Sequence, residues 1–304
     1  MEKSGQVWYN QKKGAVSAAI RDRKGANIMT AKKLILATGM GYHVSTEEQI
    51  PLIAKAGFDG VFTGWSAGAP VAEWAKIVRD NGMIYQSLHA PFTRMNRMWE
   101  PGAEGEDAAD ELCACLEDCA KNDIPIMVAH AFIGFDTHDP NPWGVERFGR
   151  VAEHAKALGV KLALENTEGE EYLELLMETL RDNPAVGFCI DTGHEMCYNR
   201  SRDLITKYGD RLIATHLNDN MGITDENNIT WLDDAHLLPF DGIADWAGIA
   251  RRLQGCGYTG ELTFELTSKN KPERNTHDGY AAWSFEEYLA QAYDRAVRFA
   301  SLFA

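Results

Sequence analysis

VKLALE at residues 160–165 and VGFCID at residues 186–191 decide how this chain reads. Each is a short apolar run that stops on a carboxylate, Glu165 in the first and Asp191 in the second. Runs this short and this uniformly apolar read as strands buried on both faces, hence members of a parallel sheet. An apolar strand cannot bury an ionised carboxylate alone, because desolvating it costs several kcal/mol at least. Something positive has to meet these two groups.

The same pattern recurs outward in both directions. MIYQSLH (83–89) stops on His89 and IPIMVAH (124–130) on His130. RLIATHL (211–217) carries His216 near its end, and ELTFEL (261–266) carries Glu265. Two further apolar runs, LILAT (34–38) and GVFTG (60–64), open the series. Six of eight strand-like segments thus end on a metal-ligand side chain. Carboxylates and imidazoles converging from strand ends, without a matching cluster of Lys or Arg in those segments, point to a divalent cation.

Helical patterns separate the strands, near 46–56, 69–81, 105–121, 143–157, 170–182, 200–208, 244–254 and 284–302. Eight βα units in about 275 residues predict one α/β domain, a single (β/α)8 TIM barrel. A doubly wound sheet is the competing arrangement. It would not gather six side chains from strands three to eight around one point. A barrel does, because every strand's C-terminal end opens on the same face. The barrel is expected over residues 29–304. Residues 1–28 are polar, carry several Lys and Arg, and lack the apolar core of a secretory signal. They read as a loosely ordered N-terminal extension, with Met29 as a candidate natural start.

Composition narrows the partners. The net charge is −15, which repels nucleic acid and anionic membrane surfaces at long range. No apolar run reaches the ~18 residues that span a bilayer. The six Cys contain no CxxC pair and read as free thiols in a reducing compartment. The expected location is the cytoplasm. A small carbohydrate is the expected partner, nucleic acid and membrane are not, and a homo-oligomer stays open.

Each candidate has a bland alternative. Glu165 and Glu265 would otherwise be salt-bridged barrel carboxylates. Asp191 in CIDTGHE would otherwise be a helix N-cap, with Gly193 permitting a tight turn. His194, His89 and His130 would otherwise be packed histidines. His216 in ATHLNDN is read as a ligand for Mn, Co, Fe or Zn. Asp234 and His236, in DDAHLLPFDG, lie on the loop after strand seven, where a D-x-H is a weak signal alone. His43, His138, His154 and His277 are read as surface or capping residues. Trp65, Trp99, Trp143 and Trp231 lie on mouth-side loops and are candidates to stack on sugar rings.

At these residues the chain resembles the xylose isomerase-like TIM-barrel superfamily, over residues 33–302. The resemblance implies sugar isomerases and epimerases, or AP endonucleases of the endonuclease IV type. Glu165, Asp191, His216 and Glu265 match the single-metal pattern of the ketose 3-epimerases. That implies one divalent ion (Mn, Co, Mg or Zn), no organic cofactor, and Glu165 and Glu265 as the proton-transferring pair. His194, with His89, His130 and His236, would then fix substrate oxygens. In those epimerases an arginine often follows the strand-seven histidine; here Asn218, Asp219 and Asn220 stand there. The expected activity is a divalent-metal-dependent isomerase or epimerase of a sugar or sugar derivative, working through an enediolate. A desolvated site is expected to raise the glutamate pKa toward ~6–7. A lyase cleaving a glycoside by the same enolate chemistry is one alternative. A trinuclear-zinc AP endonuclease is the other, since Asp234 and His236 extend the set to additional metal ligands. In that branch an arginine stands where this chain has Ala235.

Overall fold

The structure is a computed structural model and describes residues 32–136 and 138–303. The expected extension at 1–28 lies outside the described residues, as does Met29.

Eight parallel strands appear where the apolar runs predict them: β1 (Leu34–Ala37), β2 (Gly60–Gly64), β3 (Ile84–His89), β4 (Ile126–His130), β5 (Lys161–Glu165), β6 (Val186–Asp191), β7 (Leu212–His216) and β8 (Leu262–Phe264). Neighbours in sequence are neighbours in space, and β1 pairs with β8. The ring closes between β7 and β8. There the Leu217 amide donates to the Thr263 carbonyl at 2.8 Å, and the Glu265 amide donates to Leu217 at 3.3 Å. The result is a single (β/α)8 barrel.

The helices between strands are α1 (Thr46–Ala56), α2 (Val71–Asp80), α3 (Ala103–Lys121), α4 (Pro142–Leu158), α5 (Glu170–Thr179), α6 (Thr192–Cys197), α7 (Leu204–Tyr208), α8 (Trp246–Gly255) and α9 (Phe285–Ala300). Residues that begin helices do so for local reasons. Ser45 and Glu48 form a reciprocal cap on α1, and Ser284 and Glu287 do the same on α9. The helix α6 was not expected. A tight turn at Gly193 was read there, with one helix near 200–208. The turn continues helically because the Asp191 carboxylate accepts from the His194 amide at 2.7 Å and caps the new helix.

Two apolar layers result. The large core lies between barrel and helices. A small inner cluster fills the barrel itself: Ile126, Val128, Ala163, Cys189 and Ala214, all buried. Side chains two apart on a strand share a face. Val128, Ala163, Cys189 and Ala214 therefore sit beneath His130, Glu165, Asp191 and His216, which point into the mouth of the barrel. The register agrees, with His130 opposite Glu165 and Asp191 opposite His216.

Two long loops shape the mouth, and each is tied by one buried charge. Arg147 on α4 donates to Glu106 and to the carbonyls of Arg97, Met98, Glu100 and Gly102. That fixes the loop after β3. Asp219 accepts from the amides of Phe240 and Ala244 and from the Trp246 indole. That fixes the loop after β7, which carries Trp231, Asp234 and His236. Among the described residues no helix is long and apolar enough to cross a membrane.

Candidate active site

Glu165 is the hub. Its side chain has no solvent exposure. One carboxylate oxygen accepts from His216 Nδ1 at 2.8 Å; the other lies 3.2 Å from His89 Nε2 and 3.3 Å from His130 Nε2. Glu265 stands on the other side of His216, with Oε2 3.0 Å from Nδ1. Asp191 completes the ring. Its second oxygen accepts from the Asn218 side-chain amide at 2.8 Å. Glu165, Asp191, His216 and Glu265 each place one ligand atom within 4.8 Å of the others.

The remaining candidates gather alongside. Asp191, His194 and His236 form a second group within the same 4.8 Å limit, and His89, Glu165 and His216 form a third. Asp234 Oδ2 lies 2.9 Å from His236 Nε2 and 3.6 Å from His194 Nε2. All nine candidate side chains therefore converge on one mouth. Three imidazoles are oriented alike. His89, His194 and His236 give Nδ1 to the backbone carbonyls of Ala90, Asn166 and Glu265, and so turn Nε2 toward the cluster. His216 is turned the other way, with Nδ1 toward the two glutamates.

The donor chemistry suits a divalent cation. Three carboxylates and one imidazole form an oxygen-rich set of the kind Mn, Co, Mg or Zn accepts. Among the described residues no Lys or Arg forms an ion pair with Glu165, Asp191 or Glu265. Lys271 reaches Asp234 at 3.7 Å. Buried Asp234 Oδ1 and Asn218 Oδ1 also make no hydrogen bond.

Electrostatics depart from one expectation. Burial opposes ionisation of Glu165, yet His216, His130 and His89 hold its carboxyl well below the usual range. Burial likewise opposes ionisation of Glu265, and His216 still brings it to about 2. Glutamates with raised pKa values were expected here; the facing imidazoles outweigh desolvation. Asp191 behaves as expected of a desolvated acid. Burial, reinforced by Glu165 and Glu265, pushes it up to about 6 against His194 and His236. Burial lowers His216, but the two glutamates raise it well above an ordinary histidine. Burial also opposes charge on His236, which Asp234 raises to about 9.

Above the cluster the cleft has two lobes. One of about 540 Å³ runs past His130, His194, Glu168 and Tyr198. The other, about 530 Å³, lies over the ends of β8, β1 and β2. They meet at His89, Phe92, Trp231, His236, Glu265 and Lys271. Of the four tryptophans, Trp231 and Trp65 line the cleft. Trp65 and Trp99 are buried, with their indoles bonded to Asp118 and to the Ala131 carbonyl. Trp143 is exposed on α4, with Arg147 5.5 Å from its ring. His277, read as a surface or capping residue, stands at the N-cap position of the short helix Asp278–Tyr280 but is buried, because the loop after β8 folds it under Tyr280.

Sequence reasoning missed Glu168, Lys269, Lys271, Phe62 and Asn166. Phe62 stacks on His216 at 4.7 Å between ring centres. Asn166 bridges β5 to β6, accepting from the Asp191 amide and donating to its carbonyl. A polar Asn directly after a buried strand end was the available signal. Asn218 and Asp219 prove to be scaffold for Asp191 and the β7 loop.

Comparison with known proteins agrees with this architecture. An uncharacterised protein y4fM of Sinorhizobium fredii is 27% identical over 307 residues, covering 84% of this chain and 93% of that one. Among solved structures, D-psicose 3-epimerase from Clostridium cellulolyticum H10, solved with D-tagatose, has a TM-score of 0.67 at 17% identity, covering 89% of this chain and 99% of that one. The IOLI protein with a bound zinc atom has a TM-score of 0.70 at 16% identity, over 90% and 99%. The E. coli 3-keto-D-glucoside 4-epimerase YcjR has a TM-score of 0.64 at 15% identity, over 89% and 99%. At these identities the likeness establishes the shared fold. The family model described as xylose isomerase-like TIM barrel matches residues 50–285, and the chain belongs to that family.

Proposed function

We propose that this protein is a divalent-metal-dependent isomerase or epimerase of a sugar or sugar derivative. The observation that carries the reading is the four-residue set at the barrel mouth: Glu165, Asp191, His216 and Glu265, with ligand atoms within 4.8 Å of one another under an open cleft. These four would hold one ion. A bound ion supplies positive charge to a substrate carbonyl oxygen and so acidifies the adjacent C–H.

The rest is the work of side chains. Glu265 lines both lobes, so it meets the substrate first and takes the proton from carbon, giving an enediolate. Glu165 is covered. Its carboxylate is ionised; once substrate hydroxyls replace its contacts with His89 and His130 it would take a hydroxyl proton and deliver it to the enediolate carbon, the proton held by Glu265 returning to the hydroxyl oxygen. His194 and His236 line the cleft with Nε2 facing Asp234, and would hold substrate oxygens. Two of the structural relatives are a D-psicose 3-epimerase and a 3-keto-D-glucoside 4-epimerase, which supports the same class. All six cysteines are free thiols, in keeping with a cytoplasmic enzyme.

Glu165→Gln and Glu265→Gln test the assignment. Each keeps a metal-binding oxygen and removes the base. Each should lose roughly 10²–10⁴ in rate while retaining metal. If both retain metal and turn over a confirmed substrate at the wild-type rate, the glutamates do not move the proton.

The two extra groups favour a second reading, a trinuclear-zinc phosphodiesterase of the AP endonuclease type. Asp191, His194 and His236, with Asp234 beside them, would then hold one further ion, and His89, Glu165 and His216 another. Three zinc ions per chain with cleavage of abasic DNA would support it; one ion per chain supports the isomerase.

A further inference from the structure

The two lobes of the cleft differ in charge. The lobe past Glu168 and Asp234 carries those two acids, Glu265 and Lys271. The other lobe carries Glu265 as its sole carboxylate among the described residues, with both Lys269 and Lys271. Two ammonium groups on one wall of a cleft in a chain of net charge −15 run against the overall field.

These lysines stand on an anchored loop. Ser268 donates from both its amide and its hydroxyl to the Met40 carbonyl, at 3.0 and 2.9 Å. The Thr267 amide donates to the His236 carbonyl at 3.0 Å. The Lys269 stem lies across Gly41, where a Cβ would sit 2.8 Å from Lys269 Cγ. Lys269 forms no ion pair with a described residue. The Lys271 ammonium is held 3.7 Å from Asp234 and 5.2 Å from the centre of the Trp231 ring. Glu265 closes the inner end of the same lobe.

We propose that the substrate carries an anionic substituent, a carboxylate or a phosphate, that seats between Lys269 and Lys271 while the reacting carbon lies at Glu265. The substituent would be remote from the reacting carbon, because the lysines line the outer lobe and the metal-ligand set lies at its floor. Charge at that end would select the substrate and fix which way round it enters. This inference rests on the isomerase reading of the site.

The test uses the metal-loaded protein and three sugars that differ only at C6: D-glucose, D-glucuronate and D-glucose 6-phosphate. Calorimetric titration at low salt should show a charged member binding about tenfold tighter than glucose, the scale of two partly solvated charge pairs. Tighter glucuronate identifies a carboxylate, tighter 6-phosphate a phosphate. The advantage should shrink at high salt. In the Lys269→Gln/Lys271→Gln variant it should fall to within about twofold, at unchanged metal content. Lys269→Gln alone, remote from the carboxylate cluster, should lose part of the advantage if the double variant folds poorly. Equal binding of all three sugars, no binding of either charged sugar at millimolar concentration, or a preference that survives both variants overturns the proposal. Metal content and solvent-deuterium incorporation report on the isomerase reading separately. If those hold and the C6 preference is absent, this inference alone fails.

Discussion

Asn218→Ala should loosen metal binding without touching any of the four proposed ligands. Asn218 is fully buried, and its side-chain amide donates to Asp191 Oδ2 at 2.8 Å. Its backbone is pinned independently, since Thr192 Oγ1 donates to the Asn218 carbonyl at 2.8 Å. Truncation therefore removes the hydrogen bond and leaves the chain path alone. A hydrogen bond to a charged group is worth about 1.5–3 kcal/mol. At about 1.4 kcal/mol per tenfold, this predicts metal affinity weaker by roughly one to two orders of magnitude. The His194 amide still holds Asp191 Oδ1 at 2.7 Å, which argues for the lower half of that range. The same figure describes typical partners of metal ligands, about 10–100-fold. Competition with a chelator measures it directly. With metal in excess, the metal-dependent rise in melting temperature should fall by roughly 3–10 °C. Gly193 supplies an internal control. A Cβ on Gly193 would lie 2.0 Å from Asn218 Oδ1, so Gly193→Ala must displace the same side chain. It should mimic Asn218→Ala, and the two effects should be strongly non-additive, because the second substitution removes the atom the first collides with. Wild-type metal affinity in Asn218→Ala, with the fold intact, would refute the claim that Asn218 positions Asp191 as a ligand. Simple additivity would refute the shared route.

Three further outcomes follow from the same geometry. Metal uptake should release protons: against burial, Glu165 and Glu265 raise His216 well above an ordinary histidine, and a ligating imidazole must be neutral, so affinity should rise with pH; titrations in buffers of different ionisation enthalpy that show no proton release would contradict this. Asp191→Ala should abolish metal retention with the barrel preserved, because its apolar strand neighbours Phe188 and Ile190 remain buried; near-wild-type metal content would remove Asp191 from the ligand set. His277 should contribute to acid sensitivity: burial depresses it to about 4, so the unfolded chain protonates first below about 6.5 and stability is lost as pH falls through that window. His277→Gln should show a smaller loss of urea resistance between neutral pH and about pH 5 than the wild type, and an equal loss would remove His277 from the account.

Much of the site was legible before any coordinates, for a specific reason. In a parallel barrel the C-terminal ends of all strands share one face, so the residue where each apolar run stops is at the mouth by construction. Glu165, Asp191, His216, Glu265, His89 and His130 needed only the positions where their runs end. His194 followed from its spacing to Asp191, and Asp234 and His236 from a D-x-H motif beside strand seven.

Tertiary structure decided what depends on distance rather than position. A strand end says that Glu165 is at the mouth; only packing shows three imidazoles around it, and hence a carboxyl held low instead of raised. In a line of sequence Asn218 and Asp219 only mark the place where an arginine often stands in the ketose 3-epimerases; in the structure one holds Asp191 and the other ties down the β7 loop. Loop residues such as Lys269, Lys271, Trp99 and His277 carry no periodic signal, because irregular backbone is placed by long-range contacts. The apolar period alone determined the barrel and the floor of its mouth. The closure of the loops over that floor set the partners, the charge asymmetry of the cleft and the ionisation of its acids, because Coulomb and desolvation energies depend on separations of a few ångströms that a linear sequence does not contain.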